Sequence, residues 1–344
     1  MMLTSSIVAT LLALVLKNLD IDVIAIDRSA LRYIPVDARG RCEEILHTLA
    51  NFIIAKKVYV CLDRVYGIPT GLYKGVTVLY AMKKGIESKA VVVKKGTACS
   101  NDVTSILREV LEHLLPRTPL FIIDLSLWEL HHEKEKMSLM KQLVLTVNEI
   151  RRWLTDLNLV FVSTPLEVIQ ELQSVVPNSS TYFVTDEFYK LLPYEKTVVL
   201  DPYAEEELTT SDVYRYDYFV IGGVVDRFFP RPYATYAIYR LHRMNFVRKA
   251  IKLQGSTVGV PNEINKIVAI INSVRFVGIE FDEAIRINMS VDDKVARILY
   301  DLMRVSKVKK RIDISDVEEL TKLYSLDKKY KHRILSFIEK SGHR

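Results

Sequence analysis

The sequence predicts an α/β protein built on a parallel sheet covered by helices, with a small α/β region before it and a helical region after it. Three observations carry this. From Pro119 onward, short and nearly continuous apolar runs alternate with helix-like stretches: Leu120–Ile123, Leu159–Val162, Thr197–Leu200, Phe219–Ile221 and Ile251–Leu253. That is the pattern of parallel strands buried on both faces. Residues 1–118 alternate strand-like and apolar helical runs, and the chain is helical with short breaks from about Phe281. At 344 residues, 49% hydrophobic and 26% charged, the chain has the ordinary composition of a globular protein of two or three domains. We divide it at 1–118, 119–277 and 278–344.

Taken in order, Ile7–Leu16 is a ten-residue run that is apolar except for Thr10, against the roughly 20 apolar residues that span a bilayer. It lacks a basic leader, and Lys17, Asn18 and Asp20 stand where a small-residue cleavage site would fall. It is expected to be a buried first helix, with no membrane partner. Strands are expected at Ile21–Ile26, Val58–Leu62, Val76–Leu79 and Val91–Val93. Gly67, Gly71 and Gly75 meet neither the GxGxxG nor the GxxxxGK[ST] spacing and read as turns. The scarcity of Gly and Pro, 12 and 11, leaves no material for a Gly-rich phosphate cradle. Cys42, Cys61 and Cys99 are odd in number, far apart and in no CxxC pair, which argues against a disulfide framework or a cysteine zinc site and for a reducing cytoplasm. A helix is expected around Leu127–Leu154. Its His131-His132-Glu133 run is followed by Lys134-Glu135-Lys136 and reads as a solvated face, since adjacent His residues do not share a helix face as metal ligands do.

Charge is unevenly placed. The formal net charge is +6, divided as +5 over 1–118, −2 over 119–277 and +3 over 278–344. This suggests basic flanks gripping a polyanion around a middle segment with another task. Between Lys294 and Arg311 seven Lys/Arg meet one Asp, with Lys309, Lys310 and Arg311 at the end, and a second basic cluster spans Lys328–Arg333. Such clusters give salt-sensitive, sequence-independent phosphate binding.

Ligands of open parallel sheets sit at the carboxyl ends of strands. Three of those ends carry Asp124, Asp201 and Asp226. Converging, the three would hold Mg²⁺ for a PIN-like nuclease. Gly222-Gly223 follows a strand directly and admits close backbone approach to a ligand. A tight turn, Gln254-Gly255-Ser256, comes after the next strand, and Gly259–Asn265 opens a helix with Pro261 in its first turn and Glu263 complementing its positive end.

Four stretches, Phe-Ile-Ile-Asp-Leu-Ser from Phe121, Leu-Asp-Pro-Tyr-Ala from Leu200, Val-Ile-Gly-Gly-Val-Val-Asp-Arg from Val220 and Gly259–Ile267, give residues 119–275 a resemblance to a known family. They resemble the SPOUT superfamily of trefoil-knotted methyltransferases, and within it the family that methylates purine N1 at tRNA position 9. The resemblance implies a trefoil-knotted parallel-sheet domain flanked by the two smaller ones. It implies S-adenosylmethionine, without a metal, held bent in the knot by the backbone of three loops, here Leu200, Gly222, Leu253 and Val260-Pro261-Asn262. Asp226 matches the family's general base or charge-stabilising carboxylate. Asp201-Pro202-Tyr203-Ala204 replaces the family's Ser/Thr-Pro-Asp-Ser turn and Gly-Val-Pro-Asn its Thr-rich third loop, departures that are similar to archaeal, adenine-modifying members. A cytoplasmic monomer acting on tRNA is implied.

Between Asp226 and Arg248, the residues Arg227, Arg231, Arg240, Arg243 and Arg248 interleave with Tyr233, Tyr236, Tyr239 and Phe246, the mixture that binds phosphates and stacks on bases. The position-9 base must be extruded, at a cost of a few kcal/mol. Adenine N1 has a free lone pair and becomes cationic on methylation, so a carboxylate need only stabilise charge. Guanine N1 bears a proton that the same carboxylate would have to accept. The expected activity is N1-methylation of adenine at position 9, with guanine or dual specificity next. A metal-dependent RNA nuclease and an inactive RNA binder are the alternatives.

Overall fold

The computed structural model describes residues 6–176, 181–226, 229–309 and 312–340. The chain forms two compact units, Met1–Ser126 with Leu143–Phe188, and Leu127–Gln142 with Tyr189–Arg344.

The first unit opens with α1 (Ile7–Asn18), whose N-cap Ser6 accepts a hydrogen bond from the Ala9 amide. Val8, Ala9, Leu12, Ala13, Val15 and Leu16 are buried, as the run of apolar residues predicts. Among the described residues no helix is long and apolar enough to cross a membrane. There follow β1 (Val23–Ile26), α2 (Arg28–Leu31), α3 (Cys42–Ile54), β2 (Val58–Cys61), β3 (Tyr66–Tyr73), β4 (Val76–Ala81), β5 (Ile86–Glu87), β6 (Ala90–Lys94) and α4 (Thr104–Leu114). The strands order as β2-β6-β1-β4-β3-β5. Central β1 is parallel to β4 and β6, and the outer pairs are antiparallel. Period-two alternation splits the strands between faces. Ile24, Ile26, Val58, Val60, Val76 and Val78 join α1, α3 and α4 in the main core, while Ala25, Cys61, Leu79, Val91 and Val93 form a smaller cluster.

Two expectations fail here. Gly67 and Gly71 lie within β3, not in turns, and only Gly75 turns the chain, at φ 83°. β3 pairs with β4 across an irregularity between Pro69 and Gly71, and bulges near a sheet edge are where strands tolerate both residues. The expectation of unpaired cysteines also fails, because Cys61 and Cys99 form a disulfide. Cys61 ends β2 and bridges antiparallel to Asp102, so the returning chain closes a separation of 38 residues. Cys42 is free and buried, and burial pushes its thiol up to about 11.

The unit continues with β7 (Leu120–Asp124), the Leu143–Trp153 part of α5 (Glu133–Trp153), β8 (Leu159–Val162), α6 (Leu166–Val175) and β9 (Tyr182–Val184). β7, β8 and β9 are parallel. β7 and β8 fall where the apolar runs place them; β9 is unpredicted, a three-residue strand whose Tyr182 is exposed and breaks the apolar signal. On α3, His47 Nε2 faces the Arg151 carbonyl at 2.8 Å, and Asn51 Nδ2 donates to the Leu154 carbonyl at 3.1 Å, tying α3 to the end of α5.

The second unit holds β10 (Thr197–Leu200), α7 (Thr210–Arg215), β11 (Tyr218–Gly222), α8 (Ala234–Leu241), β12 (Val247–Lys249), α9 (Ile264–Asn272), α10 (Phe281–Asn288), α11 (Val291–Lys309), α12 (Ile314–Leu323) and α13 (Lys331–Lys340). β10 runs parallel between β11 and β12. The expected strand Ile251–Leu253 is displaced to Val247–Lys249. β12 is an edge strand, where basic side chains are at home, and the apolar residues after it are buried in a loop instead of a ladder.

His47 carries a test of this packing. Burial chiefly lowers its pKa, against the raising effects of the Arg151 carbonyl and Glu43. A depressed pKa means the neutral ring contributes stability above the unfolded value, near 6.5, which is lost as pH falls through the folded one. Replacing His47 by Gln is therefore expected to flatten the loss of melting temperature between pH 8 and pH 5; an unchanged slope would refute this.

Candidate active site

The carboxyl ends of β10 and β11 open into a cavity of about 330 Å³, the size range of small-molecule and cofactor sites. Three loops line it. The first is Leu200–Tyr203 after β10; the second is the stretch from Gly222 to Arg231 after β11, contributing Gly222, Val224, Asp226 and Arg231; the third follows β12 and contributes Ile251, Thr257 and Val260-Pro261-Asn262. Leu200, Gly222, Val260, Pro261, Asn262 and Asp226 are thus brought together. Leu253 does not line the cavity: it is fully buried, and its amide donates to the Ser256 carbonyl at 2.8 Å across the expected turn, where Gln254 and Gly255 have φ 50° and 79°. A Cβ on Gly222 would lie 2.9 Å from Thr235 Oγ1, so this glycine lets α8 pack against the end of β11.

Each loop is fixed by a buried side chain. Asp201 is buried; its Oδ1 accepts from the Tyr203 amide at 3.0 Å and its Oδ2 from Arg248 Nη1 at 2.7 Å. The Arg248 guanidinium lies 4.4 Å from the ring centre of Tyr236 and 5.4 Å from that of Tyr239. In the second loop, Arg231 Nη1 donates to the carbonyls of Val225 and Phe229, and its Nη2 donates to Glu135 Oε2 at 2.8 Å. The expectation of a solvated face at Lys134-Glu135-Lys136 therefore fails at Glu135, which is fully buried, and His131 is buried beside it. In the third, Arg297 of α11 donates to the carbonyls of Leu253 at 2.8 Å and Val258 at 3.4 Å and pairs with Asp301 at 3.0 Å. Tyr324 Oη donates to the same Asp301 oxygen, and burial together with Asp301 raises its pKa to about 12. Arg297, within the basic stretch read as phosphate-binding, is wholly buried. Sequence reading missed Glu135, His131 and Arg297, because burial of a charged or polar residue leaves no local signal.

The residues expected to meet RNA divide. Arg231 and Arg248 are engaged in the ion pairs above, each neutralising a carboxylate that would otherwise be buried alone. Arg240 and Arg243 are exposed. They do not share a helix turn, since α8 ends at Leu241 and Arg243 has φ 49°. Lys309 is exposed and reaches Asp316 at 2.6 Å. Arg227, Lys310 and Arg311 lie outside the described residues. Pro261 lies in the loop before α9, not in its first turn; Glu263 is the N-cap residue, and the Ile264 amide donates to Gln142 Oε1 at 3.0 Å.

The three-aspartate metal reading finds no ligand set. Asp124 is buried with Oδ1 on the Ser126 amide, Asp201 is held by Arg248, and among the described residues no group of three or more His, Cys, Asp or Glu could hold a metal ion.

A cavity walled by three loops at the ends of parallel strands, with one exposed carboxylate, defines an α/β ligand-binding domain. Residues 78–230 match the family model of tRNA (guanine(9)-N(1))-methyltransferase TRM10/TRM10A. A tRNA (adenine(9)-N1)-methyltransferase of Sulfolobus acidocaldarius is 35% identical over 55% of this chain and 61% of its own length. A tRNA (guanine(9)-/adenine(9)-N1)-methyltransferase of Thermococcus kodakarensis is 33% identical over 52% and 49%. The chain thus spans about half to three-fifths of the curated relatives it matches. The crystal structure of Sulfolobus acidocaldarius Trm10 in complex with S-adenosylhomocysteine shares the fold, with a TM-score of 0.67 at 24% identity over 97% of this chain and 99% of that one. The family-model match covers residues 78–230, less than half of the chain.

Gly259 tests how the third loop is held. It has φ 71°, and a Cβ there would lie 2.5 Å from the Asp293 carbonyl oxygen and 2.6 Å from Arg297 Cβ. Gly259→Ala is expected to cost about 2 kcal/mol or more, from left-handed backbone and overlap with α11. A melting temperature within about 1 °C of the parent would show that the loop does not rest on that helix.

Proposed function

We propose that the protein is an S-adenosylmethionine-dependent tRNA methyltransferase that forms N1-methyladenosine at position 9. The observation that carries the reading is the cavity itself: three strand-end loops around one exposed carboxylate, Asp226, in a fold shared with Trm10. Support for adenine comes from the Sulfolobus relative, named an adenine(9) enzyme; the Thermococcus relative, named for both bases, supports dual specificity as the second reading.

The chemistry of the cavity's lining fits the methyl donor. Apolar Leu200, Ile221, Ile251 and Val260 offer walls for an adenosyl group, and the backbone of Gly222 and of Val260-Pro261-Asn262 offers polar contacts. When bound, the donor supplies an electrophilic methyl group on a sulfonium. Asp226 stabilises the positive charge that builds on adenine as N1 is alkylated. With guanine the same carboxylate accepts the N1 proton. The β10 and β11 loops belong to a SPOUT-type trefoil knot in this reading, and Leu253 supports the third loop from behind. Exposed Arg240, Arg243 and Lys309, together with Arg227, Lys310 and Arg311, meet tRNA phosphates, so binding weakens with salt. The protein acts as a cytoplasmic monomer without a metal, its flanking regions 1–118 and 278–344 holding the tRNA.

Radiolabelled methyl donor and two unmodified tRNA transcripts, with A or G at position 9, test this with and without EDTA. Label on the A transcript alone, indifferent to EDTA, is expected, and label on both establishes dual specificity. Asp226→Asn is expected to lower turnover about 10²-fold. No label on either transcript refutes the reading, and EDTA-sensitive cleavage would replace it with a nuclease.

A further inference from the structure

The start of α5 and the segment leading into it hold the Asp226 loop at both of its described ends. The Val225 amide donates to His131 Nε2 at 2.9 Å, and the Val225 carbonyl accepts from Arg231 Nη1 at 2.9 Å. Both backbone groups of the residue before Asp226 are thus taken by side chains. Beyond Asp226, the Phe229 amide donates to Glu135 Oε1 at 3.3 Å, and the Phe229 carbonyl accepts from Arg231 at 3.1 Å. Arg231 is itself held by Glu135 and by the Leu130 carbonyl, at 2.8 and 2.6 Å. Glu135 Oε2 also accepts from the His132 amide at 3.1 Å. His131 is 5% exposed and Glu135 0%.

The chemistry of these bonds fixes the state of the ring. His131 Nδ1 lies 3.1 Å from the Trp128 carbonyl, an acceptor only, so Nδ1 carries the proton and Nε2 is left with the lone pair that the Val225 amide needs. A protonated ring would present a donor to a donor. Neither side chain lines the cavity, and the mechanism proposed above uses neither.

We infer that His131 and Glu135 are positioning residues for the methyl-transfer step: by gripping Val225 and Phe229 they fix where the Asp226 carboxylate stands. This rests on the methyltransferase reading for its consequence, but the grip on the loop is a separate observable. Misplacing a catalytic group by about 1 Å through a distant change costs on the order of 10²-fold in rate. Val225 and Asp226 lie in one short loop, so loss of the His131 bond reaches the carboxylate directly.

His131→Phe keeps a packed ring but removes the acceptor, and His131→Gln restores an acceptor at similar reach. The full-length chain would be examined by amide hydrogen exchange at Val225, by S-adenosylhomocysteine binding and by steady-state methylation of the position-9 transcript. In His131→Phe, we expect Val225 exchange to accelerate by about tenfold or more, since its protection rests on that bond. We expect kcat to fall roughly 10- to 100-fold, with KM for tRNA and ligand affinity within about threefold of the parent. His131→Gln should recover most of both losses. Unchanged Val225 exchange in His131→Phe overturns the inference, as does unchanged kcat despite faster exchange. Loss of ligand affinity in proportion to kcat, or failure of Gln to restore either quantity, assigns His131 to general stability and overturns it too. If the parent methylates neither transcript, the functional reading falls, and the exchange data alone decide whether these residues hold the loop.

Discussion

Three arginine–carboxylate pairs with buried carboxylates set the shape of the cavity, one for each loop. Arg248 with Asp201 holds the loop after β10, Arg231 with Glu135 holds the loop after β11, and Arg297 with Asp301 holds the loop after β12. The carboxylates have side chains 0%, 0% and 11% exposed. Desolvating a buried charge costs several kcal/mol, so these pairs are weak contributors to stability as such. What an apolar residue lacks is direction. Arg231 and Arg297 each pair with one carboxylate and donate to two or more loop carbonyls, and Asp201 accepts a backbone amide in its own turn. In a chain with little glycine, loops that must curve around a small molecule are held by this means instead of by a glycine-rich cradle.

The cost of such a design is that the cavity's geometry is encoded far from it. Arg297 belongs to α11, more than 30 residues after the loop it supports, and Glu135 is nearly 100 residues before Arg231. This explains what the sequence made legible. β7, β8, β10 and β11 are short apolar runs flanked by polar residues, buried on both faces, and hydrophobicity alone locates them. The strand-end residues Leu200, Gly222 and Asp226 follow from where such strands must stop. The loop Val260–Asn262 is legible from its turn residues and from family resemblance. Glu135, by contrast, sits between two lysines and has the local signature of a solvated helix. Its burial is set by Arg231 and by the amides of His132 and Phe229, and no window of neighbouring residues contains that information.

The same limit accounts for the misplaced strands. Ile251 and Leu253 are as apolar as any strand residue, yet they serve a loop that turns at Gln254-Gly255 and hands its carbonyl to Arg297. The ladder beside β10 is completed by Val247-Arg248-Lys249, whose charges conceal it; Arg248 reaches Asp201, and Lys249 reaches Glu206 and Asp212. Cys61 and Cys99 repeat the lesson for covalent chemistry. Separation along the chain carries no information on distance once β2 and the returning segment run antiparallel.

Charge neutralisation also decides what remains available for chemistry. Two carboxylates line the cavity, Asp201 and Asp226. Asp201 is balanced by Arg248 and spends both oxygens on fixed donors, whereas Asp226 has no ion-pair partner among the described residues. Arg231, the cation lining the same cavity, is balanced by Glu135. Among the described residues of the lining the fixed charges therefore cancel except for one carboxylate, held on a loop whose Val225 and Phe229 amides and carbonyls are bonded to side chains. Under the proposed function, a purine that becomes cationic as its N1 is alkylated gains from a negative charge placed in advance, with no reorganisation at the moment of transfer. The pairs that hold the loops thus also leave Asp226 as the lining carboxylate without an ion-pair partner among the described residues.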